Sequence, residues 1–235
     1  MQLKVMSFNV QHFLNYISRE IDFDLFEKTV RAFDPDVLGL NEVYGLGPHP
    51  DYTDQARILA ERLGYHWFFA TALDEEGIGP YGNALLSRYP ILDARIHPVP
   101  VPEKVNPDDW FEPRCLLQAD IDVPGGLQVN VIHFGLEHVE HVNAMQTVAG
   151  NVRTQRSVLL GDFNITPDNE LFRMLDGRMV DTACLFEKEL LSFPSDEPTM
   201  KIDYLFTSPD VKALQADIPA VVASDHRPYI ALVEI

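Results

Sequence analysis

The chain has 235 residues, 46% of them hydrophobic, and 36 acidic side chains against 18 Lys and Arg, for a net charge of −18. This is enough apolar material for a sizeable core, and no apolar run approaches the ~20 residues that cross a bilayer. A chain this acidic, with its bases scattered singly, repels a long polyanion unless metal ions intervene; tight, sequence-independent binding of duplex DNA is disfavoured, whereas a small phosphorylated substrate is not.

Two cysteines, Cys115 and Cys184, make no disulfide framework. Met1-Gln2-Leu3-Lys4-Val5 enters a strand-like run without a signal-peptide pattern, so a reducing cytoplasm is the expected compartment, with a monomer as the default. Residues 3–10 read as a core strand leading to Asn9. Phe23, Phe26, Val30 and Phe33 then recur at helical spacing, with Asp22 as the cap and Asp34-Pro35 as the stop. Val37 to Leu40 is a second buried strand that delivers Glu42. A Gly- and Pro-rich loop from Gly45 to Asp54 precedes a helix marked by Ala56, Leu59, Ala60 and Leu63 and closed by Gly64. Strands are expected at 66–71, 83–87, 115–123 and 127–134, with Pro124-Gly125-Gly126 as the hairpin turn.

From Leu136 to Val152 the apolar residues, including Val139, Val142, Met145 and Val148, fit one helical face. Val158 to Leu160 is a short buried strand ending in Gly161-Asp162-Phe163-Asn164. Thr166-Pro167-Asp168-Asn169 resembles a helix start, with Leu171, Met174 and Leu175 inward and Gly177 as the end. Strand character returns at 201–207, 211–216 and 228–235. No linker, repeat or low-complexity tract interrupts the chain, so one mixed α/β domain over residues 1–235 is expected.

Several strands end in a polar residue that a core does not accommodate alone: Asn9, Glu42, His133, Asp162, Asp203 and, before the last strand, Asp225 and His226. Burying one unpaired polar group costs about 1–3 kcal/mol, and a charge costs more. Any one of these is explained by a local partner; six or seven at equivalent strand ends point to convergence on one cleft. Asn9, Glu42 and Asp225 are oxygen donors suited to Mg²⁺ or Mn²⁺, and histidines beside carboxylates suit proton transfer and phosphate charge. Ser224-Asp225-His226 holds the residue types of a serine-hydrolase triad, but adjacent residues cannot form the relay, and no G-x-S-x-G elbow is present.

The set Ser7-Phe8-Asn9-Val10, Leu40-Asn41-Glu42-Val43, residues 83–91, Ile132-His133-Phe134, Gly161-Asp162-Phe163-Asn164, residues 202–206 and Ser224-Asp225-His226-Arg227-Pro228 resembles the endonuclease/exonuclease/phosphatase superfamily, in family order over residues 7–228. The resemblance implies a four-layer α/β sandwich, with two mixed sheets face to face and helices outside. It implies Glu42 as principal metal ligand with Asn9 and Asp225 nearby, and His226 at the scissile phosphate, oriented by Asp203. It further implies Asp162 on the attacking water, Asn164 and His133 on phosphate oxygens, and Arg114 near the phosphate. Gln11 stands where some nucleases of the superfamily carry an acid, and inserted basic loops are absent.

The expected activity is metal-dependent hydrolysis of a small-molecule or lipid-linked phosphoester. A nuclease, with single strands preferred, is the alternative, and a non-catalytic binding module is a third reading that the complete residue set disfavours. Two loops are expected to frame the mouth: Tyr44 to Tyr52, and the proline-rich His97 to Pro113, whose Trp110 and Phe111 suit stacking on a base, contact with a lipid or anchoring of the loop.

Overall fold

Period-two alternation decides where each strand's side chains go, because successive residues face opposite sides of a sheet. In the computed structural model, which describes residues 1–104 and 110–235, that alternation divides the apolar residues among three cores. The elements run β1 (Gln2–Asn9), α1 (Phe23–Phe33), β2 (Val37–Tyr44), α2 (Gln55–Leu63), β3 (His66–Glu75), β4 (Gly79–Ser87) and β5 (Ile91–Pro98). They continue with β6 (Cys115–Ile121), β7 (Leu127–His133), α3 (His138–Asn151), β8 (Ser157–Asp162), β9 (Val180–Asp181), β10 (Asp203–Thr207), β11 (Lys212–Asp217) and β12 (Tyr229–Glu234).

Among the described residues, twelve strands form two six-stranded sheets, ordered β11-β12-β1-β2-β4-β3 and β5-β6-β7-β8-β10-β9. Both are mixed, since β1 with β2 and β7 with β8 are parallel and the other pairs antiparallel. Leu3, Val5 and Val37 of the first sheet meet Val131, Val158, Leu160 and Leu205 of the second in the central core. The alternate residues Met6, Phe8, Leu38 and Leu40 face outward and are covered by Phe26 and Val30 of α1 and Leu59 and Ala60 of α2. On the far side, Ile132, Leu159 and Tyr204 are covered by Ala144, Met145 and Val148 of α3. The result is the expected four-layer sandwich.

The helix ends follow their local chemistry. Asp22 accepts from the Leu25 N–H at 2.9 Å, and Gly64 closes α2 at φ +74°, a conformation glycine adopts without strain.

Some expectations need correction. Ile91–Pro98 is a strand that was not anticipated: it is an edge strand, half-exposed and carrying Asp93 and Arg95, so its apolar pattern is diluted by the charges that protect an edge. Leu136 and Val139 do not face the core but are 74% and 44% exposed: Leu136 precedes α3, which begins only at His138, and Val139 lies on the solvent side of its first turn. The start at Thr166 opens a turn, not a helix: the Thr166 hydroxyl is taken up by Asp168 at 2.6 Å. Asn169 instead caps a 3-10 helix at Glu170–Leu175, whose Met174 is exposed. No helix among the described residues is long and apolar enough to cross a membrane.

Candidate active site

The inner-face alternation of the strands does not stop where the apolar residues do. Leu3 and Val5 of β1 are followed on that face by Asn9; Val37 of β2 by Asn41; Val129 and Val131 of β7 by His133; Val158 and Leu160 of β8 by Asp162. The register stacks these ends into one layer. Asn9 pairs with Asn41, His133 with Asp162, and Asp162 with Asp203 at the start of β10. All five side chains are buried. The space between the sheets therefore changes from apolar to polar at one end of the sandwich.

Asn41 joins the two sheets at that boundary. Its amide donates to Asn83 Oδ1 at 2.8 Å and to the Ile132 carbonyl of the opposite sheet at 2.9 Å, and its Oδ1 accepts the Asp162 N–H at 2.9 Å. Sequence reasoning did not single out Asn41; the available signal was an amide on the inner face of an otherwise apolar strand. Within the second sheet Gly161 lets β8 lie close to β7: at φ +145° it packs so tightly that a Cβ would sit 1.8 Å from the carbonyl oxygen of its register partner Ile132.

Asp162 is the hub. Its Oδ1 accepts the Asn164 N–H at 2.9 Å, and its Oδ2 accepts Asn9 Nδ2 at 3.2 Å. The same Oδ2 stands 3.5 Å from His133 Nε2 and 3.5 Å from His226 Nε2. Burial pushes the Asp162 carboxyl up to about 7; the His226 charge opposes this and Asp203 adds to it. Asp203 Oδ2 meets His226 Nδ1 at 2.8 Å. Burial alone would lower the His226 imidazole, but Asp203 and then Asp162 outweigh it and hold the ring up to about 10. His133 goes the other way: burial, then the Arg114 and His226 charges, keep it well below the ordinary histidine range. Arg114 Nη1 lies 3.1 Å from His133 Nδ1 and 2.5 Å from Glu112 Oε1.

A second polar group adjoins this layer. β2 is interrupted by a bulge between Leu40 and Val43, and Glu42 takes φ +59°, which turns its half-buried side chain out of the strand's alternation. Asn9 Nδ2 donates to Glu42 Oε1 at 2.9 Å, while Asn9 Oδ1 accepts the Gln11 N–H at 3.1 Å. Asp225, held by the Ser224 hydroxyl at 2.9 Å, accepts Gln11 Nε2 at 3.0 Å. Burial pushes the Asp225 carboxyl up, His226 opposes this and Glu42 adds to it. Gln11, His12 and Phe13 all have φ between +42° and +65°, a left-handed run of non-glycine residues that persists only where the surroundings enforce it.

The oxygen-rich group of Glu42, Asp225 and Asn9 fits a hard divalent cation, and Gln11 Oε1 next to it is buried without a partner among the described residues. Asp162, Asp203 and His226 also place ligand atoms within 4.8 Å of one another. In that trio both ring nitrogens of His226 face carboxylates, an arrangement suited to a protonated ring, and a metal there would have to displace a proton from between His226 and a carboxylate.

A groove of about 440 Å³ opens beside Asn164 and His226, lined by Leu136, Ile165, Phe193, Met200 and Ile202, with His226 and His141 as the titratable groups along it. Trp110, 74% exposed, and Phe111 line a separate groove with Val139. The middle of their loop, residues 105–109, lies outside the described residues. Tyr44 and Tyr52 pack on each other and on His12, beside Glu42.

The arrangement can orient a water at Asp162, receive an oxyanion between Asn164, His133 and His226, and hold a cation at Glu42. Comparison with known proteins agrees with the architecture. The structure superposes on an endonuclease/exonuclease/phosphatase from Beutenbergia cavernae with a TM-score of 0.80 at 26% identity, covering 100% of this chain and 72% of that one. It also matches a mannosyl-6-phosphatase of Bacteroides thetaiotaomicron (0.78, 16% identity, 99% and 100% covered). TDP2 of D. rerio, complexed with single strand DNA product, matches at 0.72 with 17% identity, 100% and 99% covered. No curated protein matches the sequence. The profile of the Endonuclease/Exonuclease/phosphatase family spans residues 6–226, from β1 through the loop that carries Asp225 and His226, and the chain belongs to that family.

Proposed function

We propose that this protein is a divalent-metal-dependent hydrolase of a small-molecule or lipid-linked phosphoester, acting by direct in-line attack of water. The observation that carries the reading is the buried polar layer in which Asp162 touches Asn9, Asn164, His133 and His226 at once. A carboxyl held up to about 7 is matched to accepting a proton from water near neutral pH. The Asn164 amide and His133 donate to non-bridging phosphoryl oxygens, and the His226 cation, kept charged by Asp203, offsets charge that grows toward the transition state. Glu42 with Asp225 and Asn9 would hold Mg²⁺ or Mn²⁺, which when bound supplies Lewis-acid stabilisation of the phosphoryl and leaving oxygens.

The net charge of −18 and the groove lined by Leu136, Phe193, Met200 and Ile202 support an uncharged, apolar group next to the phosphoester over a polynucleotide. A nuclease is the second reading, carried by the likeness to a protein solved with single-stranded DNA, since single strands are held by stacking with few charges. The test is a panel of phosphomonoesters, aryl and lipid phosphodiesters, DNA and RNA, run with Mg²⁺, Mn²⁺ or EDTA. Metal-stimulated turnover of an aryl or lipid ester that Asp162→Ala and His226→Ala each reduce by on the order of 10²–10³ supports the proposal. Turnover that survives either substitution overturns it, and preference for DNA or RNA with a steep salt dependence selects the nuclease reading.

A further inference from the structure

We infer that Glu112 and Arg114 form a positioning pair that fixes His133 as the tautomer with its proton on Nε2, facing the phosphate position; the inference rests on the role proposed above for His133. Arg114 Nη1 is 3.1 Å from His133 Nδ1 and 2.5 Å from Glu112 Oε1. A guanidinium only donates, so the ring nitrogen facing it must accept, and the ring's proton belongs on the other nitrogen. Nη1 carries two N–H bonds, and these contacts use both.

The far side of the ring agrees. His133 Nε2 faces Asp162 Oδ2 at 3.5 Å and Asn164 Nδ2 at 3.4 Å. The orientation of the Asn164 amide is set independently, because its Nδ2 donates to the Phe134 carbonyl at 3.1 Å. The Asn164 amide nitrogen and His133 Nε2 are therefore two donors side by side, and an oxyanion is what satisfies both. The opposite tautomer would put an N–H against Arg114 and leave a lone pair against the Asn164 donor, losing the oxyanion site. A doubly protonated ring is opposed by burial and by the Arg114 and His226 charges. The pair is itself anchored: Asn83 Nδ2 holds the Cys115 carbonyl at 2.9 Å, directly after Arg114, and Arg114 is 10% exposed in its side chain against 33% for Glu112.

The role is distinct from contact with the substrate, and a spectroscopic readout separates the two. In ¹⁵N-histidine-labelled protein, long-range ¹H–¹⁵N correlations report which ring nitrogen carries the proton, and His133→Gln assigns the signal by its loss. The expected wild-type pattern is an unprotonated Nδ1 and a protonated Nε2. In Arg114→Met, a proton should appear on Nδ1 in part of the population, and kcat should fall by about 10–100-fold with a smaller change in KM. Arg114→Lys, which keeps a donor, should recover part of both. Should Arg114→Met fail to fold, Glu112→Ala carries the same readouts, with a mixed tautomer and a smaller rate loss expected. A protonated Nδ1 in the wild type overturns the inference, as does a rate loss in Arg114→Met with the tautomer unchanged. A tautomer that responds as expected in a protein that hydrolyses no phosphoester upholds the pair and overturns the proposed role of His133.

Discussion

Asp203→Asn isolates the electrostatics of the site, because it keeps the shape of the side chain and removes one charge. His226 Nδ1 lies 2.8 Å from Asp203 Oδ2. At an effective dielectric constant of about 20, unit charges at that separation attract by about 6 kcal/mol. Burial of the imidazolium takes back part of this, and the balance, with Asp162 3.5 Å from the other ring nitrogen, leaves His226 up to about 10. The active forms are the Asp162 carboxylate and the protonated His226. Activity should therefore rise with pH through about 7 and fall through about 10, a bell with a broad top. Removing Asp203 leaves Asp162 and, more weakly, Asp225 as the anions acting on His226, so the alkaline limb should move down by about 1–3 pH units. The assay is kcat/KM against pH at saturating Mg²⁺ for both proteins. The same shift acts on stability. His226, whose folded-state pKa is raised, contributes stability that is fully present below 6.5 and lost as pH rises through about 10. The urea midpoint of the wild type should fall across that window more than that of Asp203→Asn. An alkaline limb that stays in place or moves up refutes the assignment of the charged His226.

Four further outcomes follow from other residues. Asn41→Ala leaves Asn83, the Ile132 carbonyl and the Asp162 N–H without their partner; unsatisfied groups cost about 1–3 kcal/mol each, so urea unfolding should show a loss on the order of 3–5 kcal/mol, and a loss below about 1 kcal/mol would remove Asn41 as the link between sheets. Gly161→Ala forces β7 and β8 apart and places alanine at φ +145°; a loss of more than about 3 kcal/mol is expected, read as a lowered melt or insoluble expression. Glu42→Gln removes a carboxylate charge from the cation group, so Mn²⁺ affinity measured by electron paramagnetic resonance should weaken by about tenfold or more with the melt of the metal-free protein little changed; unchanged affinity would place the metal elsewhere. Met200→Glu puts a charge in the groove beside His226, and KM for an apolar aryl ester should rise by about tenfold for roughly 1.4 kcal/mol of lost contact while kcat changes less; equal KM values would show that the groove does not take the substrate.

Strands covered on both faces were legible as near-continuous apolar runs, as in β1 from Leu3 to Phe8 or β8 from Val158 to Leu160. The edge strand β5 was not, because Asp93, Arg95 and a 65%-exposed Leu92 give it the composition of a loop. The 3-10 helix at Glu170–Leu175 was misread for a related reason: Thr166 and Asn169 are both good caps, and only the hydrogen bonds they form select between them. At the site, residue types were legible and partnerships were not. Asp162 and His226 stood out as polar residues after apolar runs, but nothing in the spacing tells that Arg114 faces His133 Nδ1, or that Gln11 holds Asp225. Those contacts join residues 19 and 214 positions apart, and the register of two different sheets decides them.

That register also explains why the polar layer tolerates its own composition. Asp162 sits directly opposite Asp203 on neighbouring antiparallel strands, a like-charge pair that destabilises a sheet when left alone. His226 answers it by placing one ring nitrogen on each carboxylate, so a cation from outside the sheet stabilises a pairing that the strands themselves disfavour. The compensation is incomplete. Asp203 Oδ1 and Gln11 Oε1 are buried with no partner among the described residues, and unsatisfied buried oxygens in an otherwise hydrogen-bonded network cost more than they would in water. A core built for stability alone would replace such groups with apolar side chains, as the same strands do two residues earlier at Val131 and Leu160. Carboxylates, an imidazolium and unpartnered oxygens gathered at the strand ends, with the apolar core intact behind them, are a layer stabilised enough to fold and still unsatisfied enough to bind.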